Sequence, residues 1–388
     1  MSSLLITGIS ELTTVDVEAR VLGDAAVVIE AETIKWIGSA KAAPTTDRRV
    51  DIGGRAMLPG WVDSHSHLVF AGDRAAEFVA RMAGEPYAAG GIAVTVDATR
   101  TVGADQLREL VETRVWEALL GGTTCMETKT GYGLDVEHER QAAMLAEEFV
   151  DEVTFLGAHV VPDGISADDY VDLVCAEMLS AVAPHAGWID VFCETGAFDV
   201  DQSRRVLEAG RAAGLGLRVH GNQLGHSGGV ALAVEMGAAS VDHCNYLSEG
   251  DIAALAQSDT VATVLPACDL STRAPFAPAR QLLDAGASIA IASNCNPGTS
   301  YTSSMNFCVA TAVLQMGLTL DEAVAAATRG GARALRRSDV GQIAVGSRAD
   351  LHVLDAPSAT HLAYRPGMPL SWAVWRAGVP YGIEIPGH

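Results

Sequence analysis

The sequence predicts an α/β fold, a (β/α)8 TIM-like barrel joined to a small β-sandwich domain built from both ends of the chain. Two observations carry that prediction. Through the middle of the chain, short β-rich apolar runs alternate with Ala-, Leu- and Glu-rich stretches of helical periodicity, and polar residues gather where the apolar runs end. Eight such runs can be read: Met57 to His67, Thr123 to Gly131, Val153 to Val161, Trp188 to Gly196, Gly216 to Leu224, Ala239 to Leu247, Val261 to Asp269 and Ser288 to Asn296. Helical segments fall between them over Gln106 to Leu120, Glu137 to Phe149, Ala167 to Ser180, Gln202 to Ala213 and Val230 to Met236. Eight strands alternating with helices fit a parallel barrel, whose reactive face lies at the C-terminal strand ends. A doubly wound open sheet is the competing fold, but no Gly-x-Gly-x-x-Gly turn follows the first strand.

The two ends of the chain differ in kind from the middle. Residues 1 to 56 alternate short β-rich runs (Leu4 to Ile9, Ala26 to Glu30, Thr33 to Gly38) with turns, and the tail repeats the pattern in Ala349 to Asp355 and Trp375 to Tyr381. Neither piece has enough apolar surface for a core of its own. The expected organisation is therefore a small β-domain from residues 1–56 plus 344–388, beside a barrel over 57–343.

Composition narrows the function classes. The 388 residues are 49% hydrophobic, yet no uninterrupted apolar run reaches membrane-spanning length and no secretory leader opens the chain, so a cytoplasmic protein is expected. Seven cysteines, odd in number and without zinc-ribbon spacing, read as buried thiols of a reducing compartment. A net charge of -22 with no basic cluster repels phosphate backbones and anionic membranes, which excludes nucleic acid and membrane as expected partners. A small anionic substrate is still compatible, because one buried arginine overrides the distant field locally.

The chemistry-bearing signal is Pro59-Gly60-Trp61-Val62-Asp63-Ser64-His65-Ser66-His67. Residues two apart on an extended strand point to one face, so His65 and His67 can converge on one divalent cation. A lone His-x-His is more often a surface or core pair. Here it closes a strand-like run after Pro-Gly, and His220 and His243 stand at the ends of later runs.

In order along the chain, seven stretches combine into a more specific pattern: Asp63 to Arg74, Glu127 to Leu134, His159 to Pro162, Asp190 to Glu194, His220 to Gln223, Asp242 to Cys244 and Asn296 to Gly298. Together they resemble the amidohydrolase superfamily of metal-dependent barrels and, within it, the imidazolonepropionases, which hydrolyse 4-imidazolone-5-propionate to N-formimino-glutamate. The resemblance covers essentially the whole chain. It implies one divalent metal, Zn or Fe, held by His65, His67, His220 and the residue at position 294, with Glu194 structural. It implies a planar heterocycle whose carboxylate tail is taken by Arg74, with Tyr132, His159, Asn296 and Gly298 around the substrate. His243 would sit beside the attacked carbonyl as an acid or base, and a homodimer is the implied assembly.

The largest departure from that pattern is Ser293-Asn294-Cys295-Asn296-Pro297-Gly298, with asparagine where the family has its metal-binding aspartate. Asn294 can offer a carbonyl oxygen to a metal but cannot take a proton near neutral pH. Gln223 is read as a second amide where many members carry a glutamate. Asn294, Gln223 and His243 are thus the candidate catalytic positions. Three readings stay open: a hydrolase of the imidazolonepropionase type, a relative acting on a related heterocycle, and a barrel that binds its ligand without hydrolysing it.

Overall fold

The computed structural model describes residues 3–84 and 91–383. Among them the strands form two sheets. The first uses both chain ends: β1 (Ser3–Thr13), β2 (Val21–Glu30), β3 (Thr33–Ser39) and β4 (Arg48–Pro59) from the front. The second begins with β5 (Trp61–Asp63) and continues through β6 (Thr123–Lys129), β7 (Glu152–Ala158), β8 (Trp188–Cys193), β9 (Gly216–Gly221), β10 (Ser240–His243), β11 (Val261–Val264) and β12 (Ile289–Ile291). The chain then returns to the first sheet with β13 (Leu351–Leu354), β14 (Ser371–Arg376) and β15 (Val379–Tyr381). By contact density the chain divides into one unit of residues 1–63, 116–125 and 304–388 and another of 64–115 and 126–303.

The terminal sheet is mixed, in the order β15-β14-β13-β4-β1-β2-β3. It curls, because the β14–β15 turn reaches the β2–β3 turn: a Cβ at Gly378 would lie 2.1 Å from the carbonyl oxygen of Ala31. Ile6, Leu12, Val27, Ile34, Met57, Leu351 and Trp375 from across that sheet share one buried apolar cluster. Leu5, Ala26 and Val28 form a second buried cluster on the other face, so β1 and β2 are covered on both sides.

The second sheet runs β5 through β12 in sequence order. Its strands pair in parallel, as in β9 with β10 and β10 with β11. Past the last strand the barrel closes through two backbone bonds, Asn294 N–H to the His65 carbonyl and His67 N–H to the Cys295 carbonyl, both 2.9 Å. Each of the eight predicted runs overlaps one of these strands. The five predicted helices appear as Ala104–Leu120, Val136–Glu147, Ala167–Leu173 with a π-type turn continuing into Leu179–Val182, Val200–Ala212 and Gly229–Glu235. The Val200–Ala212 helix starts where Asp199 and Gln202 cap one another's backbone, a box readable in the sequence.

All eight barrel runs extend past the ends of their strands, and three readings differ in kind. Met57 to His67 is two strands, since β4 ends in the terminal sheet at Pro59 and β5 opens the barrel at Trp61. Val261 to Asp269 leaves the barrel after Val264, because Pro266 starts the helix Pro266–Thr272. Trp375 to Tyr381 is a hairpin, turned at Ala377 and Gly378 with φ of 50° and 77°. The excursion between β5 and β6 also carries helices Ala75–Met82 and Ile92–Thr101, which periodicity did not disclose. None of the seven cysteines is in a disulfide, six of them are buried, and among the described residues no helix is long and apolar enough to cross a membrane.

Gly60 separates the two sheets, and a Cβ there would lie 2.1 Å from Thr124 Oγ1 and 2.7 Å from its Cβ. Overpacking of this kind costs about 1–3 kcal/mol. Gly60→Ala should lower the unfolding free energy by that amount in urea titration; a midpoint equal to that of the unaltered chain would show that the junction has room to spare.

Candidate active site

Four histidines meet at the C-terminal ends of the barrel strands. His65 and His67 follow the end of β5, His220 lies within β9 and His243 ends β10. All four are buried. The Nε2 atoms of His65 and His67 are 3.3 Å apart, and donor nitrogens of His65, His220 and His243 lie within 4.8 Å of one another. His65 Nδ1 is 2.6 Å from Asp242 Oδ2, which assigns the proton to Nδ1 and leaves Nε2 as a lone pair. His220 points Nδ1 at Asp190 Oδ2, 3.1 Å away, and its buried Nε2 has no hydrogen-bond partner among the described residues.

An unpartnered buried imidazole nitrogen is unfavourable by about 1–3 kcal/mol, and a cation at that point removes the penalty. Burial depresses the pKa of His65, His67 and His243 well below the ordinary imidazole value, with Lys129 adding to it at His65 and neighbouring imidazoles at His67 and His243. Neutral imidazole is the form that ligates a metal. A set of converging neutral imidazoles, two of them backed by carboxylates, fits a divalent ion of the zinc or iron type. His243 belongs to this cluster by position, although the sequence suggested only a catalytic role for it. Its φ of 82° is unusual for a residue with a side chain, and such strain tends to collect at functional sites.

One cavity opens above the cluster, lined by His67, Arg74, Ile92, Tyr132, His159, Phe192, His220, Gln223, His243, Asn294, Asn296 and Thr299. Nine of the residues singled out in the sequence therefore share one space; His65 is fully buried and Gly298 is not among the lining residues. Arg74 is buried, its guanidinium held by Glu77 through Nε at 2.7 Å and Nη2 at 2.8 Å. Gly298 and Gly91 make room for it, since a Cβ at either would come within 2.2 Å of an Arg74 nitrogen. Gly298 thus acts through Arg74.

His159 hydrogen-bonds through Nδ1 to the Gly131 carbonyl at 2.9 Å and stacks on His67 with ring centroids 5.6 Å apart. Burial lowers its pKa to about 4, only partly offset by that bond. Tyr132 is buried beside it, ring centroids 5.4 Å apart. Asn296 differs from expectation. Its Oδ1 accepts from the backbone N–H groups of Gly298 and Thr299 at 2.8 Å, and its Nδ2 donates to the Asn294 carbonyl at 2.7 Å. Its polar atoms hold the loop, and this rather than a free amide is what it brings to the cavity. Glu194 likewise serves backbone, accepting from Gln223 N–H at 2.8 Å and Leu224 N–H at 3.0 Å. Asn294 is buried with a φ of 51°, in reach of the Cys268 thiol, whose pKa burial and Asp269 push up to about 12.

Sequence reasoning missed the acids that do not face the cavity. Glu139 accepts from the N–H groups of Gly131 at 3.0 Å, Gly133 at 2.7 Å and Leu134 at 2.9 Å, fixing the loop that carries Tyr132. Burial raises its pKa and these bonds work against that rise. A glutamate one turn into a helix that follows Gly-x-Gly was the available signal. Asp190 and Asp242 were quoted only as parts of motifs, and their pairing with His220 and His65 depends on strand neighbours.

The amidohydrolase family model matches residues 56–371. The chain is 65% identical over 400 residues to the imidazolonepropionase of Paenarthrobacter aurescens (strain TC1), covering 97% of this chain and 98% of that one. It is 66% identical to the imidazolonepropionase of Saccharopolyspora erythraea, covering 98% and 99%. The chain belongs to the amidohydrolase family, among the imidazolonepropionases. Solved structures with the same fold include atrazine chlorohydrolase TrzN from Arthrobacter aurescens TC1 complexed with zinc, at TM-score 0.75 and 19% identity over 97% of this chain and 94% of that one. An adenosine deaminase from Xanthomonas campestris with bound zinc matches at TM-score 0.74 and 21% identity, over 97% and 92%.

Glu139 gives the site its most direct stability test. Glu139→Ala would orphan three backbone donors in a sealed loop, so unfolding free energy should fall by about 3 kcal/mol in denaturant titration. A loss below about 1 kcal/mol would mean that the loop holds its shape unaided.

Proposed function

We propose that this chain hydrolyses a cyclic C–N bond in a small carboxylate-bearing heterocycle, with 4-imidazolone-5-propionate as substrate and N-formimino-glutamate as product, using one divalent metal, zinc or iron. The observation that carries the reading is a single cavity that joins the histidine cluster to a buried arginine. It occurs in a chain aligned end to end with imidazolonepropionases. Zinc in the two structural neighbours is in keeping with the imidazole donors here.

His65, His67 and His220 would hold the metal, with Asn294 lining the same cavity. When bound, the ion would polarise the attacked carbonyl and lower the pKa of water. The protein's own groups do the rest. Asp242 and Asp190 orient His65 and His220. The Arg74 fork, kept in place by Glu77, takes the propionate. His159 has its Nδ1 proton committed to Gly131, so Nε2 accepts from a ring N–H of the substrate. Tyr132, on the loop fixed by Glu139, closes the same side.

Proton transfer falls to an imidazole, because Asn294 and Gln223 are amides. His243 is neutral and faces the cavity, so it can take the proton of the attacking water and return it to the departing nitrogen. With no carboxylate at either position, hydrolysis should be slow.

Purified protein supplied with zinc or iron should consume imidazolonepropionate slowly, and the His65→Ala/His67→Ala variant should not. The absence of both turnover and binding of that compound in metal-loaded protein would defeat the proposal. Asn294→Asp should raise kcat by roughly 10²- to 10⁴-fold, the usual contribution of a general base. No gain would remove position 294 from proton transfer. Arg74→Ala should weaken substrate binding by about 2–5 kcal/mol, measured by calorimetry; equal affinity would free the carboxylate of its assigned partner.

A further inference from the structure

We propose that Lys129 is a positioning residue of the metal site: its single ammonium fixes three carboxylates, each of which sets one part of the histidine cluster. The inference rests on the reading of His65, His67 and His220 as ligands and goes beyond it. Lys129 ends β6 and is fully buried. Its Nζ lies 2.9 Å from Glu127 Oε1, 2.9 Å from Asp190 Oδ2 and 3.6 Å from Asp242 Oδ2, and all three acids are equally sealed from solvent.

Each acid reaches a different part of the site. Glu127 Oε2 accepts the backbone N–H of Ser66 at 3.1 Å, and the Glu127 carbonyl accepts the Ser66 hydroxyl at 2.5 Å, which sets the residue between His65 and His67. The Asp190 oxygen that faces Lys129 also faces His220 Nδ1, at 3.1 Å. The Asp242 oxygen that faces Lys129 is the one 2.6 Å from His65 Nδ1. A shared oxygen cannot move toward one partner without leaving the other, so the ammonium and the imidazoles are tied in geometry.

An ammonium suits this place better than any other side chain in the set. It is a compact charge with three donors, and here it hydrogen-bonds Glu127 and lies in ion-pair range of Asp190 and Asp242. Burial by itself would lower its pKa, but Asp190, Glu127 and Asp242 outweigh that and raise it, so the charge is retained. Without it, three carboxylates would face one another in a dry interior and move apart or take up protons. The imidazoles they orient would follow. Oriented partners of this kind typically contribute 10- to 100-fold to metal affinity.

The test compares zinc affinity, by chelator competition, and the visible spectrum of the cobalt(II)-substituted protein in the unaltered chain and in Lys129→Met, which keeps most of the length of the side chain and removes the charge. The expected result is affinity weakened 10- to 100-fold with an altered cobalt spectrum. A residue that only stabilised the fold would lower the melting temperature and leave both readouts unchanged, and that result overturns the proposal. Should Lys129→Met not fold, Lys129→Met/Glu127→Gln keeps the local charge balance; weakened affinity there supports the proposal and unchanged affinity overturns it. Failure of the unaltered chain to bind zinc or cobalt would remove the metal-site reading itself, whereas normal binding with an unaffected variant removes only the role of Lys129.

Discussion

The seam that closes the barrel is also the wall that carries the histidine pair. Asn294 donates to the His65 carbonyl and His67 donates to the Cys295 carbonyl, so the first and last strands meet at the residues whose side chains must converge. Extended chain alternates faces, and this register turns His65 and His67 into the site. A slip of one residue would send both imidazoles out and Ser66 in. The chain beyond the seam is correspondingly locked: Ser300 donates to the Ser293 carbonyl at 2.7 Å, and Asn296 bonds forward to Gly298 and Thr299 and back to Asn294. Loop and barrel are one hydrogen-bonded piece at this point, which is why position 294 stays beside the imidazoles whichever residue occupies it.

The demand that every buried polar group find a partner explains the rest of the site's surroundings. Backbone N–H groups of the strand-end loops cannot reach a neighbouring strand, and acids take them up: Glu139 for residues 131–134 and Glu194 for residues 223–224. Catalytic barrels carry their chemistry on such loops, and a loop anchored by a buried carboxylate is held nearly as firmly as a strand. The rigidity is local in origin, which lets the neighbouring cavity wall carry strained residues such as His243.

The architecture was legible because periodicity survives in each strand and helix, and because turn residues punctuate them. The limits of the runs were less legible. Gly60 reads as an ordinary turn residue until Thr124 is placed against it, and Pro266 marks a helix start only once the strand before it is known to end. His65, His67, Arg74, Tyr132, His159, His220, His243 and Asn294 were recognisable from ordered motifs, and the fold brings them together. Asn296 and Gly298 were assigned to substrate, while their atoms and their lack of atoms serve the loop and Arg74. Glu127, Lys129, Asp190 and Asp242 have no spacing in sequence that announces them, since their association arises from three different strands pointing into one barrel interior.

That interior layer gains weight from the asparagine at 294. An aspartate ligand would place a full negative charge directly on a bound cation, whereas the amide offers only a dipole. Support for a bound cation would then come from behind the imidazoles, where Asp242 faces His65 and Asp190 faces His220. Carboxylates in that position act through the ring, raising the basicity of the nitrogen that faces the metal. Their effect depends on orientation more than on distance, because a carboxylate that turns away from Nδ1 no longer holds the tautomer. On the proposed assignment, with a neutral side chain at 294, metal binding would depend on how well His65 and His220 are oriented, and the acids that face them, Asp242 and Asp190, do not line the cavity.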